Sequence, residues 1–279
     1  MDLLHLCMKK SGIRFLNKLE FQDYIEYMKV HTKKPFFDIL NSRSSKYDIV
    51  LITAHGSKDS ILTADLRNLN HPYNKYILLD DTRYFVNDFV FAVSCDTALE
   101  FGKKSIENGA ITYLGYSMKI EKMFSCKYKN APKRIIDGYN IIFKKIFRET
   151  LQENLAIFIQ QPTSVAMFKE RLTFNIEQNL TQLSSLKPED IHEKYQVKIT
   201  ENEMKKYHAD IVMQQLEVIN EIDKHFVCLG DSSFFYHGAV VEMCKKHGKK
   251  KTKDYISQLQ FYEDLSHEKY KQYVESLIN

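Results

Sequence analysis

Two uninterrupted apolar runs, each closed by a residue able to do chemistry, constrain this chain more than any other feature. The first is Asp48-Ile-Val-Leu-Ile-Thr-Ala-His55-Gly56 and the second is Asn87-Asp-Phe-Val-Phe-Ala-Val-Ser94-Cys95. Continuous β-branched and aromatic runs of this length suit strands buried on both faces, as in a parallel sheet. A third run, Ala110-Ile-Thr-Tyr-Leu-Gly115, follows a helix-like stretch from Thr97 to Asn108, which Asn108-Gly109 stops. The order strand, loop, strand, helix, strand is βαβ logic, with right-handed crossovers in a mostly parallel sheet. In such sheets reactive groups collect just beyond the carboxyl ends of the strands. His55 and Cys95 fall there, so neighbouring strands would bring a thiol and a base together, as nucleophilic catalysis requires.

Each residue also has a plainer reading. A free Cys is often simply buried as a small hydrophobe, and a His on a strand is commonly a satisfied structural group. Cys95, however, ends its strand and precedes an acid and a helix start, where amides and the helix dipole favour a thiolate. His55 is followed by Gly56, which lets the backbone turn sharply and approach a ligand closely.

Three pieces of the chain resemble the CHAT family, relatives of caspases and separases found often in bacteria. They are Tyr47-Asp-Ile-Val-Leu-Ile-Thr-Ala-His55-Gly56, Phe91-Ala-Val-Ser-Cys95-Asp-Thr97 and Glu107-Asn-Gly-Ala-Ile-Thr-Tyr-Leu-Gly115. The match covers the second quarter of the chain. It departs from the family pattern at Asp96, Thr97 and Ala98, where a Glu and a Gly are usual. The resemblance implies a caspase-like α/β domain and a cysteine endopeptidase working as a dyad. His55 would be general base and acid, Cys95 the nucleophile, and the N–H groups of Gly56 and Cys95 the oxyanion donors. It also implies that Gly115, Tyr116, Ser117 and Met118 lie where a substrate backbone pairs. Asp96 or Asp65 would offer a carboxylate to a basic substrate side chain, or else be a surface acid capping a helix. The resemblance implies a regulated bacterial effector too, of a kind that includes defence against phage, with a protein substrate and an activating or inhibitory protein partner.

Composition bounds these readings. At 279 residues, 44% hydrophobic and 13% aromatic, the chain has ample material for a core, and its composition argues against disorder. Lys and Arg total 40 against 36 acids, and a net charge of +4 makes no case for nucleic acid as a direct ligand. Five cysteines (7, 95, 126, 228 and 244) form no disulfide framework and read as reduced thiols in a cytoplasmic protein. The apolar stretch at the N-terminus is too short for a signal sequence, and no run approaches the roughly 20 residues of a membrane helix. No cofactor motif is present: there is no Gly-rich phosphate loop, no His-Glu-x-x-His and no phosphatase Arg after Cys95 or Cys126.

Around these runs, Leu3 to Met8 reads as a first strand, Ile13 to Val30 as a helix, Phe36 to Leu40 as a short helix and Tyr76 to Leu79 as a short strand. From Pro132 onward the pattern turns helical. Ile135–Gln160, Val165–Leu183, Pro188–Tyr195, Glu203–Phe226, Ser232–Lys246 and Asp254–Ile278 all read as helices, with no strand of quality after Leu114. The expected organisation is a peptidase-like domain over residues 1–130 and a helical region over 131–279 that covers the sheet and offers a docking or regulatory surface. His225-x2-Cys228 and Cys244-x2-His247 have the ligand types for tetrahedral zinc, although both pairs also suit ordinary helices. Lys249-Lys-Lys-Thr-Lys253 reads as a solvated loop. Two other function classes stand beside the peptidase: a non-catalytic interaction module of the same fold, and a nucleic-acid-associated adaptor using that Lys-rich run, whose binding would be salt-dependent.

Overall fold

The computed structural model describes residues 2–7, 13–42, 48–62, 75–126 and 128–279. Its strands are β1 (Leu3–Cys7), β2 (Tyr27–Val30), β3 (Ile49–Thr53), β4 (His55–Ser57), β5 (Ser60–Leu62), β6 (Lys75–Leu78), β7 (Phe89–Val93), β8 (Thr112–Tyr116) and β9 (Phe226–Gly230). Six of them form one sheet in the order β2-β1-β3-β7-β8-β9, parallel except for β9, and β4, β5 and β6 form a small antiparallel sheet. The helices are α1 (Lys33–Ser42), α2 (Phe101–Glu107), α3 (Lys133–Gln160), α4 (Val165–Ser184), α5 (Pro188–Tyr195) and α6 (Glu201–Glu203). A π-turn carries α6 into α7 (Ala209–Asp223), and α8 (His237–His247), α9 (Lys249–Ile256), α10 (Gln260–Glu263) and α11 (Glu268–Ile278) complete the chain. The architecture is α/β, a mostly parallel sheet flanked by helices and followed by a helical region. No described helix is long and apolar enough to cross a membrane.

The unbroken apolar runs work as expected because each strand alternates between two buried faces. Leu3, Ile49, Leu51, Phe89, Phe91 and Val93 face one core, where Phe158 of α3 and Phe168 of α4 bring their rings to 5.4 Å from Phe89 and 5.5 Å from Phe91. Leu4, Leu6, Val50, Ile52, Val90 and Ala92 face the other, closed by Phe36 of α1, Phe85 and Phe101 of α2. The larger core runs without a break from Leu3 to Ile278, so the helices beyond residue 131 supply one wall of the sheet's packing.

Four expectations are corrected. Ile13–Val30 is not a helix: Arg14–Lys18 makes a short 3-10 turn, and Tyr27–Val30 pairs in parallel with β1 as an edge strand. Tyr24 and Met28, which completed the helical spacing, are exposed; pairing with the open edge of β1 outweighs a local periodicity. A strand does follow Leu114: Phe226, read as the end of a helix, opens β9 (Phe226–Gly230), which closes the other edge of the sheet. The stretch from Ser232 to Ile278 is broken into four helices, starting only at His237. Lys249–Lys253 opens α9 rather than forming a loop, with its lysines exposed.

A polar chain crosses the sheet beneath the site. The Tyr27 hydroxyl donates to the Leu19 carbonyl, so its oxygen accepts from His5 Nδ1–H at 2.7 Å, and Thr53 Oγ1–H donates to His5 Nε2 at 2.8 Å. Burial holds His5 neutral and lowers its pKa from 6.5 to about 3, helped by Lys29 and His31. The unfolded chain therefore binds one more proton than the folded chain between these values. His5's contribution is complete above pH 6.5 and is lost as pH falls toward 3, by up to about 1.4 kcal/mol per pH unit. In urea unfolding, the stability gap between wild type and His5→Gln should narrow as pH falls from 6.5 to 4; a constant gap would contradict this.

Candidate functional site

The site is built by register. Thr53 and Val93 are directly paired on the parallel strands β3 and β7, and His55 and Cys95 each lie two residues further on. Neighbouring strands run about 4.8 Å apart, so equivalent positions past a paired rung emerge side by side. His55 opens β4, the first strand of the small hairpin with β5. Cys95 begins a turn that runs to α2. The hairpin is tied down on that turn, because the Lys58 carbonyl accepts the N–H groups of Glu100 and Phe101 at 3.0 and 2.7 Å. Gly56 is what lets the two segments meet. A methyl group there would come within 2.5 Å of the Cys95 carbonyl oxygen and of Thr97, and would also strike the Ser94 hydroxyl.

His55 and Cys95 line one cavity of about 260 Å³, together with Ile13, Ala54, Ile120, Glu121, Phe124, Ser125 and Lys144. Both residues are half-buried. The Cys95 sulfur accepts the Ile120 N–H at 3.4 Å, and the Glu121 N–H also points at it. Burial pushes the Cys95 thiol pKa up; the two N–H groups oppose this, while the Glu121 and Asp96 carboxylates add to it. Burial pushes the His55 imidazole down, opposed by the Glu121 carboxylate. At neutral pH the cavity wall thus carries a thiol and a neutral imidazole.

This differs from the expected helix-end activation. Helix α2 starts at Phe101, six residues past Cys95, and the amides at the sulfur come instead from the 3-10 turn Ile120–Phe124 after β8. That turn, with Glu121 inside it, is the part of the site sequence reasoning missed. No motif marks it, and only its position just past a strand end hints at a role.

The remaining candidates are placed as follows. Asp96 takes the left-handed conformation (φ 59°) that bends the chain after Cys95, donates its N–H to Met118, and does not line the cavity. Asp65 lies outside the described residues. Gly115 and Tyr116 pair with Val227 and Phe226 of β9, and the Ser117 N–H donates to the His225 carbonyl at 2.9 Å. The Tyr116 ring is buried and stacks on Phe226 at 4.5 Å, while its carbonyl accepts from Ala98. The chain's own β9 therefore occupies the edge where a substrate backbone was expected to pair. The four residues of the alternative zinc reading are placed separately. His225 bonds Ser117, Cys228 sits mid-strand opposite Leu114, and Cys244 and His247 lie on α8. Among the described residues no three His, Cys, Asp or Glu side chains gather to hold a metal.

No known protein family, curated protein or solved structure matches the chain.

Two outcomes are expected of this geometry. Alkylation of Cys95 by iodoacetamide, followed by peptide mass spectrometry, should reach half its maximal rate at a pH above that of a free thiol, and Glu121→Gln should move it back down. An unshifted profile would contradict the burial argument. Gly56→Ala should cost about 1–3 kcal/mol in chemical unfolding, the usual penalty for overpacking; an unchanged midpoint would show that the hairpin does not need its close approach.

Proposed function

We propose that the chain is a cysteine endopeptidase of the CHAT-like kind its sequence resembles, cleaving a protein partner through His55 and Cys95. The observation that carries the reading is the equivalent placement of the two residues, each two positions past a paired rung and both on the wall of one cavity. Cys95 Sγ attacks the peptide carbonyl carbon while His55 takes the thiol proton, and the oxyanion forms. The C–N bond then breaks as His55 returns that proton to the leaving amine. Water, deprotonated by His55, hydrolyses the thioester and restores the thiol. With a neutral resting pair, proton transfer accompanies attack, so His55 is a true general base here rather than half of a standing ion pair. We assign the oxyanion to the N–H groups of Gly56 and Cys95, on the two segments that the hairpin brings into contact.

A second reading, the non-catalytic interaction module, is favoured by the raised Cys95 pKa and the two carboxylates that oppose its ionisation, because reactive cysteines usually sit in electropositive surroundings.

Peptidyl acyloxymethyl ketones carrying Arg, Lys, Leu or Asp separate the two. Wild type should be labelled at Cys95 in at least one case, Cys95→Ala at no residue, and His55→Ala about 10²–10⁴-fold more slowly, the usual worth of a general base. Labelling at another residue, or equal rates in His55→Ala, would overturn the dyad; no labelling of folded wild type would favour the interaction module.

A further inference from the structure

The cavity beside Cys95 has apolar walls and two charges of opposite sign. Ile13, Ile120 and Phe124, all buried, form the walls. Glu121 projects from the turn that donates amides to the Cys95 sulfur, and Lys144 comes from α3. No ion pair joins them, and neither has any other ion-pair partner among the described residues. The cavity's hydroxyl, Ser125, is already spent on the Glu121 carbonyl. A carboxylate and an ammonium that line one small cavity without an ion pair are groups that a ligand can satisfy.

We propose that Glu121 makes this cavity selective for a cationic side chain, a Lys or Arg whose aliphatic stem lies on Ile13, Ile120 and Phe124 and whose charge meets the Glu121 carboxylate. This inference rests on the peptidase reading, in which the cavity receives the residue on the acyl side of the cleaved bond. Stem and charged head divide the two kinds of surface between them, as long basic side chains do. Glu121 rather than Lys144 sets the sign because it stands at the reactive end. Its charge acts on both His55 and Cys95, whereas Lys144 contributes to neither. Lys144 carries the same sign as the incoming cation and so favours its placement at Glu121. Glu121 is exposed; an entering side chain covers its carboxylate and strengthens the attraction by excluding water. At about 260 Å³ the space is nearer to that of one side chain than of a large ligand.

Benzamidine, a flat cation on an apolar ring, tests this without any chemistry at Cys95. Benzamide is its neutral counterpart and benzoate the anionic one. Binding is followed by NMR titration of the full chain, with protection of Cys95 from iodoacetamide as the marker of location. Benzamidine should bind about tenfold more tightly than benzamide, the scale of one partly desolvated charge contact. Glu121→Gln should abolish that ratio, and Lys144→Met should raise it. Because Glu121 is exposed and unpaired, Glu121→Gln alters charge with little effect on packing. Equal affinity for benzamidine and benzamide, a preference surviving Glu121→Gln, or a preference for benzoate lost in Lys144→Met would each overturn the inference. Such a result beside His55-dependent labelling by the Leu ketone leaves the peptidase reading standing. A Glu121-dependent preference for benzamidine without any labelling of Cys95 retains the cation site and overturns the peptidase reading.

Discussion

The parallel pairing of β3 with β7 is the constraint on which the rest depends. Five rungs from Ile49↔Phe89 to Thr53↔Val93 fix the register, and a one-residue slip would send every side chain to the opposite core. Such a slip would also part His55 from Cys95, since the chemistry-bearing residues are simply the continuation of that ladder past its last bond. The cores on both faces, lined by Phe89 and Phe91 on one side and Val90 and Ala92 on the other, thereby position the site, and Ile13, Ile120 and Phe124 of the larger one also wall its cavity.

The neutral thiol and imidazole follow from the same packing. A strand buried on both faces brings its carboxyl end partly into the interior, where a charge is costly. Two amides from the turn after β8 offset only part of that cost at the sulfur, and the nearby carboxylate tilts the balance further against the thiolate while favouring a protonated His55. Glu121 therefore disfavours ionisation of the free thiol but favours the imidazolium that forms once the proton has moved to His55.

The interior was legible in the sequence and the edges were not. β3 and β7 announce themselves because a strand covered on both sides has no polar alternation to hide it. β2 and β9 are edge strands: Tyr27, Lys29, Val227 and Cys228 are only partly buried, so their patterns blend with the helical spacing of their neighbours. Pairing to an open edge decided both against local preference. His55 and Cys95 were readable because each ends a recognisable run. The turn holding Ile120 and Glu121 was not, because its role comes from where β8 delivers it and not from any residue pattern. The plainer reading of the His/Cys spacing holds for one pair, since Cys244-x2-His247 lies on a helix, while His225-x2-Cys228 is split between a turn and a strand.

β9 gives the molecule an uncommon timetable. Its partner β8 lies far earlier in the chain, and the Thr112 hydroxyl donates to the Asp231 carbonyl across 119 residues. Contacts of such sequence separation form late, because loop closure must come before they bring any gain. During synthesis the edge of β8 that pairs with β9 stays open until α3, α4 and α7 have all emerged. The two reactive residues are made early, in the first half of the chain, but the sheet that holds them is sealed only near its end.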